Sequence, residues 1–258
     1  MADAFTVSAD GLRRPARLDW VPEAPVALEF NGLAYAVMMA TPEYLVDFAT
    51  GFALSEGLAA RADDVTDVGL AEVEQGWIVR ATLAGLGIER LRERVRTRVA
   101  ESSCGLCGLD NLAEVARPLP PVAAHPAIDP QAIFAALEEL PERQELNRRT
   151  GAAHAAAWCT PTGRIAELRE DVGRHNALDK LIGGMARTGW PLDGGFVLST
   201  ARCSYEIVEK AVKAGATTLV TVSLPTSMAV ERAKACGLSL WVLAREDSVT
   251  CVNDAASL

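Results

Sequence analysis

The chain has 258 residues, room for one or two domains at roughly 150 residues each. Half of its residues are apolar and 23% are charged, an ordinary globular composition that excludes collagen-like, low-complexity and wholly disordered chains. Asp and Glu number 34 against 25 Lys and Arg, a net charge of -9, so general attraction to nucleic acid or anionic membranes is not expected and any anionic ligand must be held by local charge.

No apolar run approaches the roughly 18 to 20 residues of a membrane span. Pro15, Asp19 and Glu23 interrupt the stretch after Arg13-Arg14, so neither a secretory nor a twin-arginine signal is expected, and a cytoplasmic location follows as the expectation. Of six cysteines, Cys159, Cys203, Cys236 and Cys251 stand alone, too sparse for a disulfide scaffold. Only Cys104 and Cys107 form a pattern.

Residues 1–16 read as an N-terminal tail. Val26 to Phe30 and Leu33 to Met39 are apolar runs joined by Asn31-Gly32, which predicts a two-residue hairpin. Thr41-Pro42-Glu43 reads as helix cap, first-turn proline and acidic first turn, with Leu45, Phe48, Ala49, Phe52 and Ala53 on one face of a helix over 42–57. Val65 to Val73 and Trp77 to Leu83 complete a small α+β unit, and the arginine-rich stretch from Glu89 to Arg98 reads as a solvated connector, placing the first domain at 17–100. Residues 101–126 hold the paired cysteines in a loop of small residues followed by a proline-rich linker. The second domain, 127–258, begins with a helix from about Asp129 to Leu140 and strands Ala152 to Trp158 and Ile165 to Leu168. A helix opening at Arg174 follows, and then strands Phe196 to Ser199, Thr218 to Val222 and Leu238 to Ala244 alternate with helices stopped by Gly215 and Gly237. That order predicts an α/β layer, mainly parallel, with ligands at the strand carboxyl ends.

Three groups of residues carry chemistry. Cys104-Gly105-Leu106-Cys107 offers two thiols with little bulk beside them, suited to thiolate exchange in which a second sulfur shares or resolves the first. Half of a zinc site is the structural alternative, but no second close Cys or His pair supplies the remaining ligands. Arg174-His175-Asn176 with Asp179-Lys180 form a polar cluster at a helix start, readable either as a site or as a helix capped by Asp171 with ordinary surface pairs. His154, in an alanine-rich run, reads as a core or interface histidine, and His125 is given no role. The turns at Ser199 to Ser204 and Ser223 to Ser227 could present hydroxyls and N–H groups to a phosphate, with Arg202 and Arg245 nearby for charge. A zinc deaminase is not expected on residues alone, because His154-Ala155-Ala156 lacks the required glutamate and the cysteine pair precedes it.

The stretches Gly51 to Gly57 (GFALSEG), Ser103 to Gly108 (SCGLCG), Glu170 to Lys180 (EDVGRHNALDK), Ser204 to Ala211 (SYEIVEKA) and Pro225 to Val230 (PTSMAV), in that order, resemble the formate dehydrogenase accessory sulfurtransferase family, FdhD. The resemblance covers roughly residues 17 to 245. It implies an α/β protein, α+β overall, whose larger domain has a cytidine deaminase-like fold beside a smaller N-terminal α+β domain. It further implies a sulfur carrier that takes persulfide sulfur from a cysteine desulfurase and passes it to the molybdenum or tungsten bis(molybdopterin guanine dinucleotide) cofactor, bound as cargo, for formate dehydrogenase. By motif position Cys104 matches the persulfide-bearing residue, with Cys107 its helper, and Leu243, Ala244, Arg245, Glu246, Asp247 and Ser248 match the cofactor-contacting segment. Members of the family usually carry glycine and a basic residue where this chain has Glu246-Asp247-Ser248. A homodimer, no intrinsic metal, no nucleic-acid partner and no membrane insertion complete these expectations. A thiol-disulfide oxidoreductase and a cofactor chaperone that moves no sulfur are the alternatives.

Overall fold

The computed structural model describes residues 4–97 and 117–256. Within residues 1–16, β1 (Ala4–Val7) pairs antiparallel with β2 (Arg13–Ala16) as a separate two-stranded sheet. The turn is built by Asp10, whose carboxylate accepts from Leu12 N and Ser8 Oγ, and by Gly11 at φ 83°. Arg13 lies 4.0 Å over the Phe5 ring.

The first main sheet follows the predicted hairpin. β3 (Ala24–Phe30) and β4 (Leu33–Ala40) are joined through Asn31 and Gly32, both at positive φ, as a type I′ turn requires. β5 (Val65–Val73) and β6 (Gly76–Leu83) form a second hairpin, and β6 runs parallel to β3 to give the order β4-β3-β6-β5. Val26, Leu28, Phe30, Val79, Ala81 and Leu83 turn one face of this sheet onto α1 (Leu45–Ser55), where Phe48 and Phe52 are buried. The arginine-rich connector contains the helix α2 (Ile88–Thr97), whose Leu91 inserts into this core while Arg92 pairs with Glu89 outside.

The expected cap at Thr41 is corrected by the structure. The helix starts at Leu45, after Tyr44 in the left-handed region at φ 54°. Thr41 is fully buried, its groups taken by Asp171, Val172 and Lys180, so tertiary contacts outcompete its capping propensity.

The second sheet has the order β12-β11-β10-β9-β7-β8, built from β7 (His154–Cys159), β8 (Ile165–Asp171), β9 (Phe196–Ser199), β10 (Thr218–Thr221), β11 (Ser239–Val242) and β12 (Thr250–Asn253). Only β9–β10 and β10–β11 are parallel; β7–β8, β7–β9 and β11–β12 are antiparallel, which corrects the expectation of mainly parallel pairing. Short turns explain it. The Thr162-Gly163 turn folds β8 directly back on β7, and the 243–249 loop returns β12 onto β11, whereas parallel pairing needs a crossover of a dozen or more residues.

Alternate residues of these strands face opposite layers. Ala156, Val197, Leu219 and Leu240 pack with α5 (Arg174–Arg187), α6 (Tyr205–Lys213) and α7 (Ser227–Cys236). Ala157, Leu198 and Val220 pack under α3 (Pro130–Arg143), which Asp129 caps through Gln131 N, and α4 (Glu145–Thr150) follows. The linker after residue 117 straps across the opposite layer, where Leu119 and Val122 pack against the core under α5–α7, with Val122 N donating to Cys236 O and His125 Nε2 lying 3.0 Å from Ser239 Oγ.

Two glycines decide how the sheets are joined. A Cβ on Gly51 would stand 1.7 Å from the Asp179 carbonyl oxygen, and one on Gly183 would stand 1.9 Å from that of Asp47. The backbones of α1 and α5 therefore touch, and α5 is enclosed by α1, β7, β8 and α6.

Candidate functional site

The carboxyl ends of the three parallel strands collect the loops that the sequence marks. Val222 N donates to Ser199 O at 3.0 Å, Thr226 N to Cys203 O at 2.9 Å and Ala244 N to Thr221 O at 3.2 Å, so the loops after β9, β10 and β11 form one rim. Because β7 is antiparallel, its first residue, His154, joins the same edge beside Asp171, its partner in the ladder. Thr200 ties β7 in, its Oγ1 accepting from Ala155 N at 2.8 Å. This edge holds every residue of the predicted cofactor-contacting segment.

Leu243 enters that segment at φ 50°, a left-handed conformation that costs a non-glycine residue of order 1 kcal/mol and turns the chain over the rim. Ala244 is buried. Arg245 N donates to Ser248 O at 2.8 Å, while its guanidinium donates to the Val222 and Ala244 carbonyls. Arg245, Glu246, Asp247 and Ser248 are exposed, and Ser248 Oγ donates to Asp247 Oδ1. Cys104 and Cys107 lie outside the described residues. The remaining cysteines are poor nucleophiles: Cys159, Cys203 and Cys236 are buried, and burial pushes the Cys203 thiol up to about 12 and raises Cys159 and Cys236. Cys251 is exposed, but burial of its sulfur and the Asp254 charge also raise its thiol.

The polar cluster on α5 is not a set of surface pairs. Asp171 and Lys180 are fully buried, with Lys180 Nζ 2.6 Å from Asp171 Oδ2 and donating to Thr41 O at 2.8 Å. Asp171 also accepts from Thr41 N, Gly173 N and Asn176 Nδ2, and Asn176 reaches Met39 O. Burial pulls the Lys180 ammonium below its usual value, and Asp171 offsets part of that penalty. From the adjacent position of α5, Asp179 accepts from Lys210 at both oxygens at 2.9 Å, and Lys210 also donates to Ser55 Oγ at 2.8 Å, with Glu56 at 3.3 Å. Burial opposes the Lys210 charge, but Asp179 and Glu56 outweigh it and hold the ammonium above its ordinary value.

Ser55, Glu56, Asp179 and Lys210 come from the GFALSEG, EDVGRHNALDK and SYEIVEKA stretches, so three separate motifs meet in one buried network. Lys210 is the residue that sequence reading passes over. Its signal is position: it falls on the apolar face of α6 with Ile207 and Ala211, where a lone lysine needs an acid. At the far end of α5, Arg169 and Arg187 both pair with Asp47 beside a cleft of about 420 Å³ that Tyr44 and Leu70 also line. That cleft lies about 20 Å from the rim by the length of the helix, and its charges are already satisfied within the fold.

A sequence model described as the FdhD/NarQ family matches residues 21–258. The chain belongs to the FdhD/NarQ family. It is 46% identical over 232 residues to the sulfur carrier protein FdhD of Variovorax paradoxus, covering 90% of this chain and 84% of that one. With the sulfur carrier protein FdhD of Chromobacterium violaceum it shares 44% identity over 247 residues, 92% of this chain and 89% of the other. A crystal structure from Desulfotalea psychrophila, provisionally named a formate dehydrogenase accessory protein, superposes with TM-score 0.75 over 98% of this chain and 96% of its own at 21% identity, a likeness that bears on the fold. Among the described residues of this FdhD/NarQ chain no helix is long and apolar enough to cross a membrane, and no three His, Cys, Asp or Glu side chains are grouped as metal ligands.

Proposed function

We propose that this FdhD/NarQ chain is a sulfur carrier: Cys104 takes sulfane sulfur from a cysteine desulfurase, and the sulfur passes to a molybdenum or tungsten bis(molybdopterin guanine dinucleotide) cofactor destined for formate dehydrogenase. The observation that carries this reading is the 46% identity over most of both chains to a protein named as a sulfur carrier. The Cys104-Gly105-Leu106-Cys107 pattern supplies the chemistry; burial of Cys159, Cys203 and Cys236 and the isolated position of the exposed Cys251 support assigning it to that pair.

In the first step the Cys104 thiolate attacks the outer sulfur of the donor's cysteine persulfide. A new S–S bond forms at Cys104, the donor's S–S bond breaks, and the donor leaves as a thiolate with no net redox change. In the second step the Cys107 thiolate attacks the Cys104 sulfur and displaces hydrosulfide toward the metal. The pair is left as a disulfide, which a cellular dithiol reduces before the next cycle. The rim, with Leu243 to Ser248, is the proposed seat of the guanine nucleotide end of the cargo. Holding the cargo there turns a chance encounter between metal and persulfide into an intramolecular one. The chain is proposed to work in the cytoplasm as a homodimer, and its acidic surface fits a protein partner better than nucleic acid.

The test is complementation. In a host lacking its own carrier, Cys104→Ala abolishes formate dehydrogenase activity while the purified variant melts as wild type and still binds guanosine diphosphate. Full activity from a chain with both Cys104 and Cys107 replaced would instead establish a cofactor chaperone that moves no sulfur.

A further inference from the structure

The first turn of α5 contains a residue that the buried network does not use. Arg174 and His175 occupy the first two positions of a 14-residue helix, where the positive end of the helix dipole disfavours cations. Their neighbours are accounted for, because Asp171, Asn176 and Lys180 satisfy one another. Arg174 forms no hydrogen bond or ion pair among the described residues, and its Nε is shielded from water with no acceptor. A guanidinium at the wrong end of a helix, part-buried and unpaired, is a local conflict of the kind that folds retain at binding sites.

The surroundings give that conflict a direction. His154 approaches from β7. Burial first and the Arg174 charge second hold its imidazole below the ordinary value, with Asp171 opposing them and His175 adding a smaller contribution, so His154 and Arg174 lie within electrostatic reach of each other. His175 Nε2 lies 3.0 Å from Glu206 Oε2 but makes no hydrogen bond among the described residues, while Glu206 accepts from Ser204 Oγ. Arg202, exposed on the loop between β9 and α6, has no acidic partner among the described residues. Arg245, across the rim, has its guanidinium on the Val222 and Ala244 carbonyls. Of the arginines at this edge, Arg174 is the part-buried one with no hydrogen bond or ion pair among the described residues, its Nε being the buried atom without an acceptor.

We propose that Arg174, His154 and His175 form a phosphate subsite that takes the pyrophosphate of a nucleoside diphosphate group, on the reading that Leu243 to Ser248 border the nucleotide. A planar guanidinium reads phosphate oxygens in pairs, and two imidazoles add donors that follow the ligand's charge. Three strand spacings, about 14 Å, separate β11 from β7 in the order β11-β10-β9-β7. A nucleotide that touches both ends bridges this span and an isolated phosphate does not.

Calorimetry on the full chain with guanosine diphosphate and with inorganic pyrophosphate tests the assignment in wild type, Arg174→Gln and Arg174→Lys. Arg174→Gln is expected to weaken guanosine diphosphate binding at least tenfold and to leave the melting temperature at or above that of wild type, with Arg174→Lys in between. The chain has three histidines, so the His154 imidazole proton can be followed by NMR. Bound pyrophosphate should raise the His154 titration midpoint in wild type and leave it unmoved in Arg174→Gln. Wild-type affinity in a folded Arg174→Gln variant, or a His154 signal indifferent to saturating ligand, overturns the subsite. Pyrophosphate binding as tightly as guanosine diphosphate, with both lost in Arg174→Gln, retains the anion site and overturns its nucleotide assignment. The sulfur reading fails separately: a chain that never accepts sulfane sulfur but shows these Arg174 effects has the subsite without the carrier function.

Discussion

Replacing Gly51 by alanine puts a methyl group where α1 and α5 touch, and the structure gives the size of the conflict. The added Cβ would lie 1.7 Å from the Asp179 carbonyl oxygen, whereas real Cβ contacts essentially never fall below 3.0 Å, so the two helices must separate by more than an ångström. The obstructing atom belongs to a helix backbone and cannot swing aside. Overpacking of this kind costs about 1 to 3 kcal/mol, and the unyielding neighbour places Gly51→Ala at about 3 kcal/mol or more. Separation also stretches the Ser55–Asp179 bond of 2.7 Å across the same crossing. Since roughly 2 to 4 °C accompany each kcal/mol in chains near this size, the melting temperature should fall by roughly 6 to 12 °C. Urea unfolding supplies the free energy, with Gly69→Ala as the control, because nothing lies within 4 Å of a Cβ there. The reasoning has a built-in sign test: alanine is the better helix former by about 1 kcal/mol, so a looser crossing would make Gly51→Ala stabilising. A variant as stable as wild type, or more so, refutes the backbone contact.

Lys180→Met keeps the length of the side chain but leaves Asp171 buried without its cation, which is expected to cost about 3 to 5 kcal/mol in denaturant unfolding; Asp171→Asn added to Lys180→Met should recover part of that loss, and no recovery argues against a direct pair. His154 titrates below its usual value in the fold, so the unfolded chain takes the proton first. Stability should therefore decline as pH falls from about 6.5 toward the folded-state value and level off beneath it, and His154→Gln should flatten this decline in urea midpoints measured between pH 5 and 8. An unchanged slope in His154→Gln would place the titration elsewhere.

Local chemistry made some elements legible and hid others. Asn31-Gly32 announces its hairpin because few residue pairs accept two positive φ angles, and Gly237 stops α7 at φ 78° for the same reason. Thr41-Pro42-Glu43 is misleading because a helix cap and a buried tertiary contact want the same hydroxyl. The pairs on α5 are hidden more deeply. Asp179 and Lys180 look like solvated residues at a helix start, but their partners Ser55 and Thr41 lie 124 and 139 residues away, beyond any periodicity. β12 is missed because four residues after a loop carry no alternation of their own. The segment proposed to contact the cofactor is legible only through family resemblance, since Leu243 at positive φ has no sequence signature, whereas the paired cysteines are visible by spacing.

The central claim is that Cys104 carries a sulfur atom, and intact-protein mass spectrometry tests it most directly. After incubation with a cysteine desulfurase and cysteine, the wild-type chain should gain about 32 Da, removable by a dithiol and located by peptide mapping on Cys104, and the gain should be absent in Cys104→Ala. A wild-type mass that never increases, under conditions in which the desulfurase demonstrably loads another acceptor, contradicts the account.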